Sequence, residues 1–276
     1  MPSYTAADIK ALRERTGAGM MDVKKALDEA EGDNDKAVEI LRVKGLKGIT
    51  KREGRSASNG LVAAHVDGGT GVLVEVNCET DFVAKGERFT QLADKVLAAA
   101  VASGATDADQ LRAADAGDGT TVQALLDDGN ATLGEKIEVR RVARVSAGHV
   151  AAYLHRTSPD LPPQIGVLLA VTGTDETTAR DVALHIAAMS PTVLSVDDVP
   201  EETLASERRI AEETAVNEGK PEKAVPKIIE GRVKGYLKEN VLLEQAFSKD
   251  NKKTVAQVLS EAGLTAEAFA RFRVGA

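Results

Sequence analysis

The run Gly71-Val72-Leu73-Val74-Glu75-Val76 recurs as Gly166-Val167-Leu168-Leu169-Ala170-Val171, and the run ahead of each repeats as well: Val62-Ala63-Ala64-His65, then Val150-Ala151-Ala152-Tyr153. An alanine-rich amphipathic stretch follows each pair, Phe89 to Ala102 in the first copy and Ala179 to Met189 in the second. Two short β-type runs ahead of a helical period make a hairpin packed under a helix, so the centre of the chain reads as a duplicated α+β core. The first hairpin turns at Asp67-Gly68-Gly69-Thr70, and the second has a longer proline-bearing loop, His155 to Gln164. Between the copies lie a polar stretch, Ser103 to Thr120, a short helix near Val122 to Leu126, and a strand, Lys136 to Ser146.

Ahead of the core are three short helical patterns. Thr5 and Asp8 have the spacing of a capping box before Ile9, Leu12 and Thr16; Met20, Val23, Lys24 and Leu27 restart the period after Thr16-Gly17-Ala18-Gly19; Asp33 caps a third run through Leu41. Three helices in so short a span predict a small bundle of the ubiquitin-associated shape, with a thin core. Beyond the second copy, Val199 to Asn240 is helical again and broken at Gly219-Lys220-Pro221, which predicts a protruding antiparallel helical hairpin. A last helix, Thr254 to Ala262, precedes a strand-like ending, Phe269 to Val274. The expected divisions are a bundle over 1–42, a basic linker over 43–58, one core subdomain over 59–147, a second over 148–198 and 241–276, and the helical hairpin over 199–240.

Charge supports these breaks. The chain of 276 residues carries a net −8, of which 1–41 contribute −3 and the stretch Arg42 to Arg55 contributes +5. That stretch, with three glycines, reads as a helix end running into a flexible tether. An acidic balance argues against a general nucleic-acid binder, since phosphate neutralisation needs clustered Lys and Arg. The single cysteine, Cys78, excludes an internal disulfide framework and a Cys-based zinc site. No stretch approaches the length of a membrane span, and the N-terminus lacks a signal-peptide pattern, so a cytoplasmic protein is expected.

Enzymatic motifs are absent: there is no P-loop, no G-x-G-x-x-G and no G-x-S-x-G. The four histidines, His65, His149, His155 and His185, have no metal-ligand spacing, and Cys78 sits in a β-type run that favours burial over nucleophilic work. Glu75, Glu79 and Asp81 offer only a weak hard-cation pattern. The expectation is a binding protein with no cofactor and no metal of its own. A comparison of the copies locates the difference. After its second strand the second copy has a plain polar turn, Thr172-Gly173-Thr174-Asp175-Glu176; the first has Asn77-Cys78-Glu79-Thr80-Asp81-Phe82-Val83-Ala84-Lys85. Phe82 is one of five Phe in a chain without Trp. Either its ring folds back to close the hairpin and helix core, or it projects to enter a partner's crevice.

Leu12 to Asp22 (LRERTGAGMMD), Val76 to Lys85 (VNCETDFVAK) and the break at Gly219-Lys220-Pro221 resemble the bacterial elongation factor Ts family, the guanine-nucleotide exchange factors of elongation factor Tu. The resemblance spans nearly the whole chain. It implies an N-terminal ubiquitin-associated domain, a two-subdomain core and a protruding helical hairpin. It implies further that Thr80, Asp81, Phe82 and Val83 dislodge magnesium from elongation factor Tu and that Arg13, Met20 and Met21 contact a helix of its nucleotide-binding domain. Leu133, Gly134 and His155 match family positions that touch another domain of the same partner. The rival expectation from residues alone is an RNA- or ribosome-associated module using the basic stretch, with Lys51, Arg52 and Arg55 as its contacts. A ubiquitin-binding adaptor would use only the N-terminal bundle, and an enzyme would centre on Cys78.

Overall fold

A computed structural model describes residues 4–16, 18–52 and 54–276, without the side chains of 46–51. Gly17 and the side chain of Lys51 therefore lie outside the described residues. The N-terminal bundle is formed by α1 (Ala6–Thr16), α2 (Met20–Glu29) and α3 (Asn34–Arg52). The expected capping box closes α1: the Thr5 amide and hydroxyl both donate to Asp8 Oδ2 at 2.7 Å, and the Asp8 amide donates back to Thr5 Oγ1 at 3.3 Å. These bonds hold the Asp8 carboxyl below its ordinary range. Asp33 Oδ1 caps α3 by accepting from the amides of Asp35 and Lys36. Leu12, Val23, Ala26, Leu27, Ala37 and Leu41 are the small core between the three helices.

The expected flexible tether is corrected here, because α3 continues through it to Arg52. Gly45 explains the difference. It lies where α3 packs on a later helix, and a Cβ at this position would sit 2.4 Å from Ala131 Cβ. Gly45 is therefore a close-approach residue and not a breaker, and tertiary packing overrides the local glycine signal. Arg52 Nη1 adds a bond to the Asn130 carbonyl at 3.1 Å.

The first core unit contains β1 (Asn59–Asp67), β2 (Thr70–Cys78), α4 (Asp81–Ala84), α5 (Glu87–Ser103), α6 (Ala108–Ala113), α7 (Val122–Leu133) and β3 (Glu138–Ser146). Its sheet is antiparallel in the order β1-β2-β3. The second unit has β4 (His149–His155), β5 (Ile165–Thr172) and α8 (Glu176–Met189). The helical hairpin is α9 (Glu201–Asn217) and α10 (Val225–Asn240), with Gly219 in the left-handed region (φ 68°) at the break. The chain then returns through a small strand pair, β6 (Ala246–Phe247) and β7 (Asp250–Thr254), to α11 (Val255–Glu261) and β8 (Thr265–Arg273). The strand-like ending becomes the third strand of the second sheet, ordered β4-β5-β8. Sequence reading missed α6 in the polar stretch and the β6–β7 pair.

Alternation along the two middle strands explains why the sheets stack. Val72, Val74 and Val76 of β2 face α5 with Phe89, Leu92 and Val96, while Val167, Leu169 and Val171 of β5 face α8 with Val182 and Ile186. Leu73 and Leu168 point the other way and meet between the sheets, with Val62, Val145, Val150, Ala170 and Phe272. The result is mixed α+β: two small antiparallel sheets back to back, each covered by helices outside. Only Ala211, Ala215 and Val225 are buried in the helical hairpin, whose surface carries Arg209–Glu213 and Arg232–Glu218 ion pairs at 3.1 and 3.2 Å. Among the described residues no helix is long and apolar enough to cross a membrane.

Candidate partner-binding site

The difference between the copies takes shape where β2 ends. Thr80 is extended (φ −124°, ψ 156°) and its Oγ1 accepts from the Val83 amide at 3.3 Å, which starts the single turn α4. Ala84 is buried and Val83 packs on the first unit's core. With those two side chains inward, Phe82 is turned outward and is 75% exposed. Phe89, Phe247 and Phe272 are buried and Phe269 is half-buried, so Phe82 alone of the five is exposed. An exposed ring of this size forgoes about 1.5–3 kcal/mol of burial. Its fate is thereby decided in favour of projection. Lys85 Nζ stands 4.6 Å from the ring centroid and 3.5 Å from Asp81 Oδ2, so one ammonium tethers both side chains.

The turn is held from outside. Glu135, in the loop after α7, accepts from the amides of Glu79 and Thr80 through Oε2, both at 3.0 Å, and from the Thr80 hydroxyl through Oε1 at 2.6 Å. Glu79 Oε1 accepts from the Lys136 amide at 2.7 Å, and the same carboxylate meets Arg55 Nη1 at 3.3 Å. Leu133 ends α7, half-buried against the core, and Gly134 follows in the left-handed region (φ 75°). Leu133 and Gly134 thus immediately precede Glu135, the residue bonded to Thr80. Nothing in the sequence singled out Glu135, which pairs across 55 residues with a turn that no local pattern connects to it.

Met20 and Met21 open α2 and are 58% and 63% exposed. Arg13 is exposed on α1 and shares a surface depression with Lys10, Glu14 and Arg88. Arg88 belongs to α5, the helix that follows the Phe82 turn, and its Nη2 donates to the Glu14 carbonyl at 2.8 Å. One arginine therefore ties the N-terminal patch to the start of α5. His155 is placed elsewhere, at the end of β4 in the other sheet, where its Nδ1 lies 3.2 Å from the Tyr153 hydroxyl. Among the described residues no hydrogen bond or ion pair joins it to Thr80–Val83.

The remaining candidates have structural partners. Cys78 is fully buried, and burial together with the nearby Glu135 carboxylate pushes its thiol up to about 12, which removes the thiolate needed for nucleophilic work. His185 is buried; its Nδ1 accepts from the Ser248 amide at 3.1 Å, so Nε2 carries the proton and donates to Gln245 Oε1 at 2.9 Å. Glu75, Glu79 and Asp81 go to separate cations, Arg141, Arg55 and Lys85. Among the described residues no three acidic, His or Cys side chains are grouped to hold a metal ion.

Comparison with known proteins shows the family. The sequence model of the family described as Elongation factor TS matches residues 79–276, which include the Phe82 turn, Glu135 and the whole second unit. Proteins named Elongation factor Ts from Kocuria rhizophila and an Arthrobacter species are 65% and 64% identical, and one from Kineococcus radiotolerans is 62% identical, each over the full length of both chains. With most of the chain matched and identity sustained from end to end, this chain belongs to the elongation factor Ts family.

Proposed function

We propose that this chain is a guanine-nucleotide exchange factor in translation elongation: it binds elongation factor Tu with GDP, displaces the partner's magnesium ion and promotes GDP release ahead of GTP. One observation carries the proposal, the 75% exposed Phe82 on a capped turn that the second copy lacks. A GTPase holds its nucleotide through a phosphate loop and a bridging Mg²⁺, so displacing the ion removes charge neutralisation from the phosphates and weakens GDP binding. Phe82 is the apolar wedge, Asp81 redirects polar groups beside the ion, and Thr80 and Val83 set the turn. Arg13, Met20 and Met21 engage the nucleotide-binding domain, while Leu133, Gly134 and His155 contact a second domain. Linkage makes the effect reciprocal, since the factor weakens GDP binding by the ratio at which GDP weakens the factor's binding. Cycling needs no covalent chemistry, membrane attachment or cofactor of this chain's own, and its place is the cytoplasm.

The RNA-binding alternative is weakened by the basic stretch itself. Lys44 meets Glu29 at 2.6 Å, Arg52 donates to Asn130 and Arg55 pairs with Glu79, so these cations are engaged within the chain. The ion-displacement step is tested by following labelled-GDP release from elongation factor Tu with magnesium present and with magnesium removed beforehand. Acceleration by the factor is expected to shrink once the ion is gone; an unchanged acceleration would overturn the step.

A further inference from the structure

The turn carrying Phe82 is only four residues long, too short to hold its own shape, since one helical turn fixes several dihedrals for a single bond. Its direction must be set by something else. The two loops meet as a reciprocal clasp: Glu135 accepts from the amides of Glu79 and Thr80, and Glu79 accepts from the amide of Lys136. The Thr80 hydroxyl is oriented by donating to Glu135 Oε1, which leaves its oxygen free to accept from Val83. Asn59 Nδ2 closes the remaining backbone group by donating to the Glu79 carbonyl at 2.8 Å. The equivalent junction in the second copy is closed locally instead, by Asp175 accepting from the Thr178 amide and hydroxyl at 3.0 and 2.9 Å. Among the described residues, a carboxylate from a distant loop is thus committed only in the copy that displays the ring.

The geometry points to Glu135 as a positioning residue for exchange: through Thr80 it fixes the direction in which Phe82 projects, and it joins Leu133-Gly134 and Thr80–Val83 into one rigid contact unit. This rests on the exchange function proposed above. Glu135 itself touches no nucleotide or metal. Its carboxylate acts on the backbone of the turn, where charge-assisted bonds to N–H groups are stronger than neutral ones.

The test compares GDP release from elongation factor Tu at saturating factor, and the half-saturating factor concentration, for the parent, Glu135→Ala, Glu135→Gln, Phe82→Ala and the double variant Phe82→Ala with Glu135→Ala. Glu135→Ala is expected to lower the saturating rate at least about tenfold while half-saturation moves less, the split that marks loss of a step after binding. Glu135→Gln keeps an amide oxygen that still accepts from the two N–H groups, so it is expected to recover part of the rate and guards against a folding defect. The double variant is expected to lose less than the product of the two single losses, because Glu135 acts in large part through that ring. Asp175→Ala, the cap of the other copy, is expected to exchange at the parental rate. Parental exchange by Glu135→Ala, or independent losses that multiply in the double variant, would overturn the inference. If the parent itself fails to accelerate release, the exchange function falls, and amide hydrogen exchange at Val83 and Ala84 decides the clasp alone. Faster exchange there in Glu135→Ala but not in Asp175→Ala supports the clasp, and unchanged exchange sinks it.

Discussion

Val62 of the first copy occupies the space that a side chain at Gly166 of the second would fill: a Cβ on Gly166 would lie 2.4 Å from Val62 Cγ1. The relation is returned, because a Cβ on Gly71 would lie 2.7 Å from Val150 Cγ1. Val62 and Val150 are equivalent in the two copies, as are Gly71 and Gly166, so the duplicated units exchange the same knob and hole across the sheet interface. Gly166→Ala is expected to destabilise the fold by about 1–3 kcal/mol, the usual range for overpacking a dense core. Val62→Ala added to it should recover part of that loss in urea unfolding. A neutral Gly166→Ala would contradict the tight approach.

An ion pair between a buried carboxylate and a half-buried arginine fastens the C-terminal strand to the first sheet. Glu75 is fully buried and its Oε2 meets Arg141 Nη2 at 2.5 Å; Arg141 also donates to the Arg273 carbonyl at 2.9 Å, and the Gly275 amide donates to Glu75 Oε1 at 3.1 Å. Arg141→Leu strands a buried carboxylate and is expected to cost about 3 kcal/mol or more. Replacing both partners with leucine should cost less than replacing Arg141 alone, as measured by denaturant unfolding.

Acid sensitivity follows from His185. Burial lowers its pKa below the ordinary 6.5, outweighing the bond that it donates to Gln245. The unfolded chain therefore binds a proton at a higher pH than the folded chain does. Stability is full above that ordinary value and falls with pH down to the lowered folded value, by at most about 1.4 kcal/mol per pH unit. His185→Gln does not titrate, so its unfolding midpoint should fall less than the parent's across that window. Parallel pH profiles would contradict this.

Cys78 is expected to resist thiol reagents while the protein is folded. With the thiol pushed up to about 12, only about one molecule in ten thousand carries a thiolate near pH 8, and the sulfur is fully buried besides. Labelling should appear on unfolding in denaturant. Rapid labelling of the native chain would show that the β2 end opens freely.

The duplication was legible because inward-facing residues repeat with period two around a glycine that the interface needs, and the caps at Thr5 and Asp33 were legible because each acts within its own turn. Gly45 misled for a physical reason: a glycine admitting a neighbouring helix reads the same as one ending its own. Phe82 was conspicuous through scarcity and through its absence from the second copy, yet its outward direction depended on Val83 and Ala84 finding the core. Glu135 and Arg88 were invisible, since each acts across a long stretch of chain and mainly on backbone groups, which leave no mark in the residue types of the partner segment.

The most direct measurement is labelled-GDP release from elongation factor Tu, with the parent chain and Phe82→Ala compared at saturating concentration. The ring is 75% exposed, so its removal should shift unfolding by no more than about 0.5 kcal/mol. The expected result is strong acceleration by the parent and at least about a tenfold loss of it in Phe82→Ala. Release at the parental rate by a folded Phe82→Ala chain would contradict the wedge.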